Sequence, residues 1–221
     1  VSKAMNIYEV HIGSWKQKED GSWYTYREIA KELIAYAKEH HFTHLEFMPL
    51  NEYPFDGSWG YQCSGYFAAT SSYGSCEDLM SLIDQCHKAG IGVILDYVPV
   101  HFVRDDFSLS YFDGTPLYEY QKDVDANSQW GTSNFDLWSE TVRSFLMSAA
   151  SFWLDKYHID GLRMDAISNI IYWHGNRDNG VNEGALAFIR RMNYNLHRRY
   201  PGVMLIAEDS SDFPNVTKST L

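Results

Sequence analysis

Residues 92–98 have the sequence GVILDYV, a dense apolar run from which the fold class follows. Strands of a parallel sheet are buried on both faces, so their sequences are apolar almost throughout rather than alternating with polar residues. We therefore predict a buried parallel strand at Gly92–Val98.

Helical segments precede this strand. Ser75 and Asp78 have the spacing of a capping box, in which each side chain bonds the backbone N–H of the other residue, and Gly90 ends the helix. Thr25 and Glu28 form a second capping box before an earlier helix. The apolar residues of that helix recur at every fourth position: Ile29, Leu33 and Ala37.

Short apolar runs and helical patterns alternate along the whole chain. A third helix carries the apolar stripe between Val142 and Trp153, and a fourth runs from about Asn182 to just before Pro201. This alternation predicts a parallel sheet with right-handed crossovers. The predicted strands are Ile7–Ile12, Leu45–Pro49, Gly92–Val98, Gly161–Asp165 and Val203–Glu208.

A doubly wound sheet and a (β/α)8 barrel both satisfy this order, and the polar residues at the strand ends distinguish them. A barrel draws its active site from the carboxyl ends of several strands. A doubly wound nucleotide-binding sheet has a glycine-rich turn after its first strand, which residues 13–15 (GSW) do not supply. We predict an α/β fold: a partial (β/α)8 TIM barrel of about five strands, with residues 1–221 as one truncated catalytic domain and no second domain. The strand-end polar residues are His11, Asp96, Arg163, Asp165 and Glu208.

Composition narrows the function classes. The net charge of −11 excludes the basic footprint of a nucleic-acid-binding protein. No apolar run has the length of a membrane span, and no signal peptide is recognised. Cys63, Cys76 and Cys86 have neither disulfide-framework nor metal-site spacing, so we expect a cytoplasmic protein without cofactor or metal.

The first candidate catalytic segment is GLRMD at residues 161–165. Side chains alternate along a strand, so Arg163 and Asp165 point to the same side. A guanidinium beside a carboxylate holds it ionised, as a glycosidase nucleophile requires. Taken alone, an Arg-x-Asp pair is more often a structural salt bridge.

A second carboxylate, Glu208, ends the next predicted strand. Adjacent strands lie about 4.8 Å apart. Retaining glycosidases hold two carboxyl groups about 5–5.5 Å apart, one as nucleophile and one as acid/base. Partial burial after an apolar run would help Glu208 to hold a proton, although a capping or loop carboxylate is also consistent with its position.

Four further residues are candidates for sugar binding. Asp96 could support Arg163, and His101 could donate to a sugar hydroxyl. Trp59 and Tyr61 lie in a loop whose glycines free the backbone to present aromatic rings. A structural histidine and an aromatic latch that closes the loop are the alternatives.

These segments together resemble the α-amylase family, and within it the branching-enzyme subgroup. The resemblance covers essentially the whole chain. Three motifs resemble those of the family: DYVPVH (96–101), GLRMDAIS (161–168) and AEDS (207–210). Three longer segments suggest the subgroup: YEVHIGSW (8–15), PFDGSWGYQ (54–62) and FWLDKYHIDGLRMDA (152–166).

The resemblance implies that Asp165 is the nucleophile and Glu208 the acid/base. It also implies a sugar site lined by Arg163, His101 and Tyr61. The implied reaction cleaves an α-1,4-glucan such as glycogen and transfers the released chain to a 6-hydroxyl, which forms an α-1,6 branch. A related hydrolase of the maltooligosyl-trehalose type, or a glucan-binding fragment without turnover, would carry the same residues.

Two departures from the family pattern qualify these expectations. Pro99 and Val100 replace the side-chain oxygen that many amylases offer to calcium, so we expect no calcium site. The family's third catalytic Asp would lie beyond Leu221, so we expect the isolated 221-residue chain to be inactive. We also expect an inner face that includes Val93, Leu95, Met204 or their neighbours to lack partners. Either the chain associates with itself through the open sheet edges, or its termini and long loops fold over them, and we favour self-association.

Overall fold

The computed structural model describes residues 4–218, which form a five-stranded parallel sheet, two small two-stranded sheets and surrounding helices. The strands are β1 (Ile7–Val10), β2 (His44–Phe47), β3 (Asn51–Glu52), β4 (Gly65–Ala69), β5 (Gly92–Tyr97), β6 (His101–Phe102), β7 (Ser133–Asn134), β8 (Gly161–Met164) and β9 (Met204–Ala207). The helices are α1 (Ile12–Trp15), α2 (Tyr26–Glu39), α3 (Cys76–Lys88), α4 (Asp123–Ala126), α5 (Glu140–Tyr157), α6 (Ile167–Ile171) and α7 (Glu183–Arg199). Short 3₁₀ turns lie at Asp56–Ser58, Ser71–Tyr73, Trp173–Gly175 and Arg177–Asn179.

The main sheet has the strand order β1-β2-β5-β8-β9, and every neighbouring pair is parallel. Each strand is therefore added to the same edge, whereas a doubly wound sheet reverses its strand order. Right-handed crossovers in one direction place the four long crossover helices, α2, α3, α5 and α7, on one face. Consecutive long helices accordingly contact one another: α2 with α3, α3 with α5, and α5 with α7. This arrangement confirms the predicted α/β fold and is consistent with part of a (β/α)8 barrel.

The predicted elements are present with shorter strands. Both capping boxes form, at Thr25 with Glu28 and at Ser75 with Asp78. The first predicted strand was too long, because β1 ends at Val10 and Ile12 begins the short helix α1.

The two faces of the sheet differ in character. The helix-covered face is apolar and buried, and it includes Val93 and Leu95, which are 1% and 2% exposed. Val93 and Leu95 themselves are therefore not on the inner face, and their neighbour Ile94 lies there instead, next to Gly161, because Asp96 sets the alternation of β5. Met204 does pair with Gly161 on the open face and is half-buried.

Two long connections cover the carboxyl edge of the sheet. The first, residues 48–75, joins β2 to α3, and the second, residues 98–139, joins β5 to α5. The antiparallel pair β3–β4 lies in the first, and the antiparallel pair β6–β7 and α4 lie in the second. Buried Tyr66 joins them, since its hydroxyl donates to the carbonyl oxygens of His101 (2.7 Å) and Val98 (3.1 Å). The indole of Trp153 on α5 donates to the carbonyl oxygen of Tyr66 at 3.1 Å. The core thus anchors the loops that surround the site.

Among residues 4–218, the helices are all too short or too polar to cross a lipid bilayer.

Candidate active site

The polar residues at the ends of β8 and β9, Arg163, Asp165 and Glu208, meet at a cleft of about 560 Å³ on the carboxyl edge of the sheet. Six of the seven predicted site residues line the cleft, and the seventh, Asp96, lies buried behind it. The lining residues are Ser58, Trp59, Tyr61, Gln62, His101, Trp130, Arg163, Asp165, Ala166 and Glu208.

Arg163 bridges two carboxylates at the floor of the cleft. Its Nη1 donates to Asp165 Oδ1 at 2.9 Å and to Asp96 Oδ2 at 3.1 Å. The hydroxyl of Tyr61 donates to the same oxygen of Asp96 at 2.6 Å. Asp96 is fully buried, so this network fixes Arg163 from a position that solvent does not reach. The expected support of Arg163 by Asp96 is present in the geometry.

The electrostatics of Asp165 combine three effects. Burial raises the pKa of Asp165 to about 6, the neighbouring Arg163 cation lowers it, and Glu208 raises it. At neutral pH most of the carboxyl is therefore ionised. Because Oδ1 is held by Arg163, Oδ2 is the oxygen free of that contact.

Glu208 is anchored through its backbone and its side chain. Its N–H donates to the carbonyl oxygen of Met164 at 3.0 Å, and its Oε2 accepts from the N–H of Ala166 at 2.8 Å. Ala166 has φ +50° and ψ +46°, a left-handed conformation that costs about 1–2 kcal/mol for a residue with a Cβ. The register that pairs Met164 with Ala207 places Asp165 and Glu208 side by side after their strands.

His101 is a buried, neutral side chain of the cleft. Burial lowers the pKa of His101 to about 4, so the imidazole carries no charge at neutral pH. Its Nδ1 lies 2.7 Å from Thr132 Oγ1, and its ring stacks on Trp130 with centroids 4.9 Å apart. The ring is thus held both at its edge and on its face.

The Trp59–Tyr61 loop depends on a glycine, as predicted. Trp59 has φ +55° and Gly60 has φ +91°, and a Cβ on Gly60 would lie 2.4 Å from the carbonyl oxygen of Pro49. Trp59 is 57% exposed. Tyr61 is half-buried and fixed by its bond to Asp96, while burial and that carboxylate raise the pKa of Tyr61, so the hydroxyl stays protonated.

Sequence reasoning missed Ser58, Gln62, Trp130 and Ala166 as lining residues. Trp130 lies in the long connection between β5 and α5, where regular periodicity is absent. One signal was present, because Trp130-Gly131 repeats the Trp-Gly pair of Trp59-Gly60. Gly131, like Gly60, has a positive φ, at +75°.

Three carboxylates crowd together on the open face of the sheet. Oxygens of Glu9, Glu46 and Asp96 all lie within 4.8 Å of one another, a spacing that could accommodate a metal ion. Asp96 Oδ1 has no hydrogen-bond partner within residues 4–218. Burial and the Glu9 carboxylate raise the pKa of both Glu46 and Asp96, so a retained proton would relieve the repulsion equally well. The expectation of no metal stays a prediction.

Comparison with known proteins places this site in context. Residues 27–115 match the family described as alpha amylase, catalytic domain. The 1,4-alpha-glucan branching enzymes GlgB of Bacillus cereus and Bacillus anthracis are each 53% identical over 219 residues, which is 99% of this chain. The chain spans 34% of the length of these relatives.

The fold has solved counterparts as well. An alpha-amylase from Geobacillus thermoleovorans, solved in complex with acarbose, superposes with a TM-score of 0.73 over 95% of this chain and 47% of its own. At 19% identity this likeness concerns the fold alone.

Proposed function

We propose, on the premise that this chain is part of the catalytic domain of the α-amylase family, that its parent protein is a 1,4-α-glucan branching enzyme. One observation carries the proposal: Asp165 and Glu208 follow adjacent strands and line one cleft, the first paired with Arg163 and the second with a backbone N–H. The 53% identity to branching enzymes favours branching over simple hydrolysis.

The proposed mechanism is a double displacement. Asp165 Oδ2 attacks the anomeric carbon of an α-1,4-linked glucose while Glu208 gives its proton to the departing glycosidic oxygen. This step forms a glycosyl–Asp165 ester and releases the remainder of the chain. The 6-hydroxyl of an acceptor glucan then attacks the anomeric carbon as its proton passes to Glu208, and Asp165 leaves as a carboxylate.

The other site residues have binding and positioning roles in this proposal. Arg163, held by Asp96, keeps Asp165 ionised and oriented. His101 and Tyr61 contact the sugar next to the cleaved bond, and Trp59 offers an exposed aromatic face.

Further proposals concern the polypeptide and its setting. We propose that residues 1–221 form one catalytic barrel segment and that this 221-residue polypeptide alone does not branch glucan. Exposed edges at β1 and β9 favour self-association, which light scattering on the purified chain would detect, whereas a stable monomer would refute it.

Three unpaired cysteines support a reducing, cytoplasmic setting, and glucan rather than nucleic acid or membrane is the proposed partner.

The test uses the full-length protein that contains this chain. Incubation with amylose should produce α-1,6 linkages, seen as new anomeric signals by NMR and as short chains after enzymatic debranching. Trehalose or linear oligosaccharides without new branches would instead identify a hydrolase. Glucan binding with no change in the polymer would identify a non-catalytic binding protein.

A further inference from the structure

Trp130 is the aromatic residue of the cleft that has no assigned role. It lies in the second long connection, yet it lines the same cleft as Asp165 and Glu208. Its side chain stacks on His101 at a centroid distance of 4.9 Å and an interplanar angle of 29°. It also remains 41% exposed.

A closed turn holds the indole in this position. The backbone N–H of Ser128 donates to the carbonyl oxygen of Thr132 at 3.0 Å, and the N–H of Thr132 returns to Ser128 Oγ at 3.1 Å. The N–H of Trp130 donates to the same hydroxyl oxygen at 3.1 Å. Gly131 provides the positive φ of +75° that closes the turn. Trp130 is therefore presented by a built loop.

The solvent-exposed part of the Trp130 side chain is the face of the indole that points away from His101. Because His101 is 3% exposed and stacks against one face of the indole, the opposite face and the ring edge account for the open area. A neutral imidazole lies behind that face, since burial lowers the pKa of His101 to about 4. The face accordingly offers a flat apolar surface beside hydrogen-bonding groups.

Such a surface suits a pyranose ring. Glucose presents axial C–H groups on its faces and hydroxyls at its rim, so it stacks on an aromatic face while its rim bonds polar neighbours. Aromatic side chains combine a large apolar area with a defined geometry. Trp59, 57% exposed and also followed by a positive-φ glycine, lines the same cleft.

We propose that Trp130 is a glucan-binding residue that stacks on a glucose unit next to the one attacked by Asp165, an inference that rests on the proposed function. His101 packs against one face of the indole, and the hydrogen bonds of the Ser128–Thr132 turn fix the backbone of Trp130. Trp130 thereby extends the sugar site from the catalytic carboxylates into the second long connection.

The experiment measures maltoheptaose binding by calorimetry in the full-length protein, with Asp165→Asn present throughout to prevent turnover. Trp130→Ala should weaken binding about tenfold, because one aromatic stacking surface is lost. Trp130→Phe should stay within about threefold of the parent, because a smaller flat ring remains. Phe107→Ala is the matched control, since Phe107 belongs to the same connection, is 72% exposed and does not line the cleft.

A second measurement needs no substitution at Trp130. N-bromosuccinimide oxidises accessible indoles, and peptide mass spectrometry locates the products. Maltoheptaose should protect Trp130 but not Trp138, which is 54% exposed outside the cleft. This measurement decides the question even if Trp130→Ala fails to fold.

Unchanged affinity in Trp130→Ala, or equal oxidation of Trp130 with and without maltoheptaose, would overturn the inference while branching by the wild type still stands. A wild type that binds maltoheptaose but makes no branches would refute the proposed function and leave Trp130 as a glucan contact. A wild type that neither binds nor branches would overturn both.

Discussion

The two faces of the five-stranded sheet differ in composition although they share the same strands. Toward the helices, Leu45, Val93 and Leu162 are at most 1% exposed and belong to one apolar core. On the other face, buried Asp96 forms an ion pair with Arg163, which lines the cleft. Since neighbouring residues of a strand point to opposite sides, one strand supplies both core and chemistry.

The difference between the faces lies in what each stabilises. The helix-covered face removes apolar surface from water, which is the main favourable contribution to folding. The open face brings like charges together, and burial raises the pKa of Asp96, Glu46 and Asp165, so the ionised carboxyls there oppose folding. Substitutions on the open face should alter activity more than stability, and those on the covered face should do the reverse.

The largest effect is expected on the open face at Asp165. In the full-length protein, Asp165→Asn removes the nucleophile and should lower glucan transfer by about 10⁴-fold or more while binding is largely retained. Rates of branch formation and calorimetric glucan affinity measure the two quantities. Asp84→Asn on the exposed surface of α3 is the control with the same chemical change. Substantial residual transfer by the Asp165 variant would remove it from the mechanism.

A neighbouring residue on the covered face should give the reverse result. Leu162→Ala creates a cavity in a fully buried region and should destabilise the protein by about 2–5 kcal/mol. Thermal unfolding measures this loss, while activity per folded molecule at low temperature should be little changed. Leu117→Ala, at a site 40% exposed, should leave the unfolding temperature nearly unchanged. Equal destabilisation by both variants would contradict the assignment of the faces.

The smallest expected effect is a shift in pH dependence. Asp165 must be ionised to attack, and its pKa is about 6, so activity should fall as the pH drops through this value. Arg163→Gln removes the cation that favours the anion, so the pKa of Asp165 should rise and the acidic limb should move about 1–3 units higher.

The residual rate of Arg163→Gln, followed from pH 4 to 9, measures this shift. Arg199→Gln loses the same charge from an exposed pair with Asp155 and should keep the wild-type profile. An Arg163 variant with an unshifted acidic limb would show that another group controls that limb.

Much of the fold could be predicted, because its signals are local. Both capping boxes depend on residues three positions apart, and the apolar run at Gly92–Tyr97 identifies the buried central strand without its partners. The site was predictable where its residues end strands, as at Arg163, Asp165 and Glu208. Their arrangement around one cleft was an inference from strand adjacency, and their catalytic roles stay predictions.

The errors and omissions have a common physical cause. Val93 and Leu95 were named for the inner face because the residues on both sides of this strand are apolar, and the alternation set by Asp96, which assigns Ile94 to that face, was not applied. Trp130 was overlooked because a loop residue reaches its site through turn geometry, which has no periodicity. Ala166 was overlooked because its contribution is a backbone N–H, which every non-proline residue has.

The sequence by itself determined the alternation of strands and helices, the capped helix starts and the residue types at the strand ends, since these depend on neighbours along the chain. Only the tertiary structure decided that Arg163 bonds Asp96, that Trp130 covers His101 and that Ala166 holds Glu208. These contacts join segments far apart in the chain, and their distances are set by strand register and loop closure, which local sequence preferences do not specify.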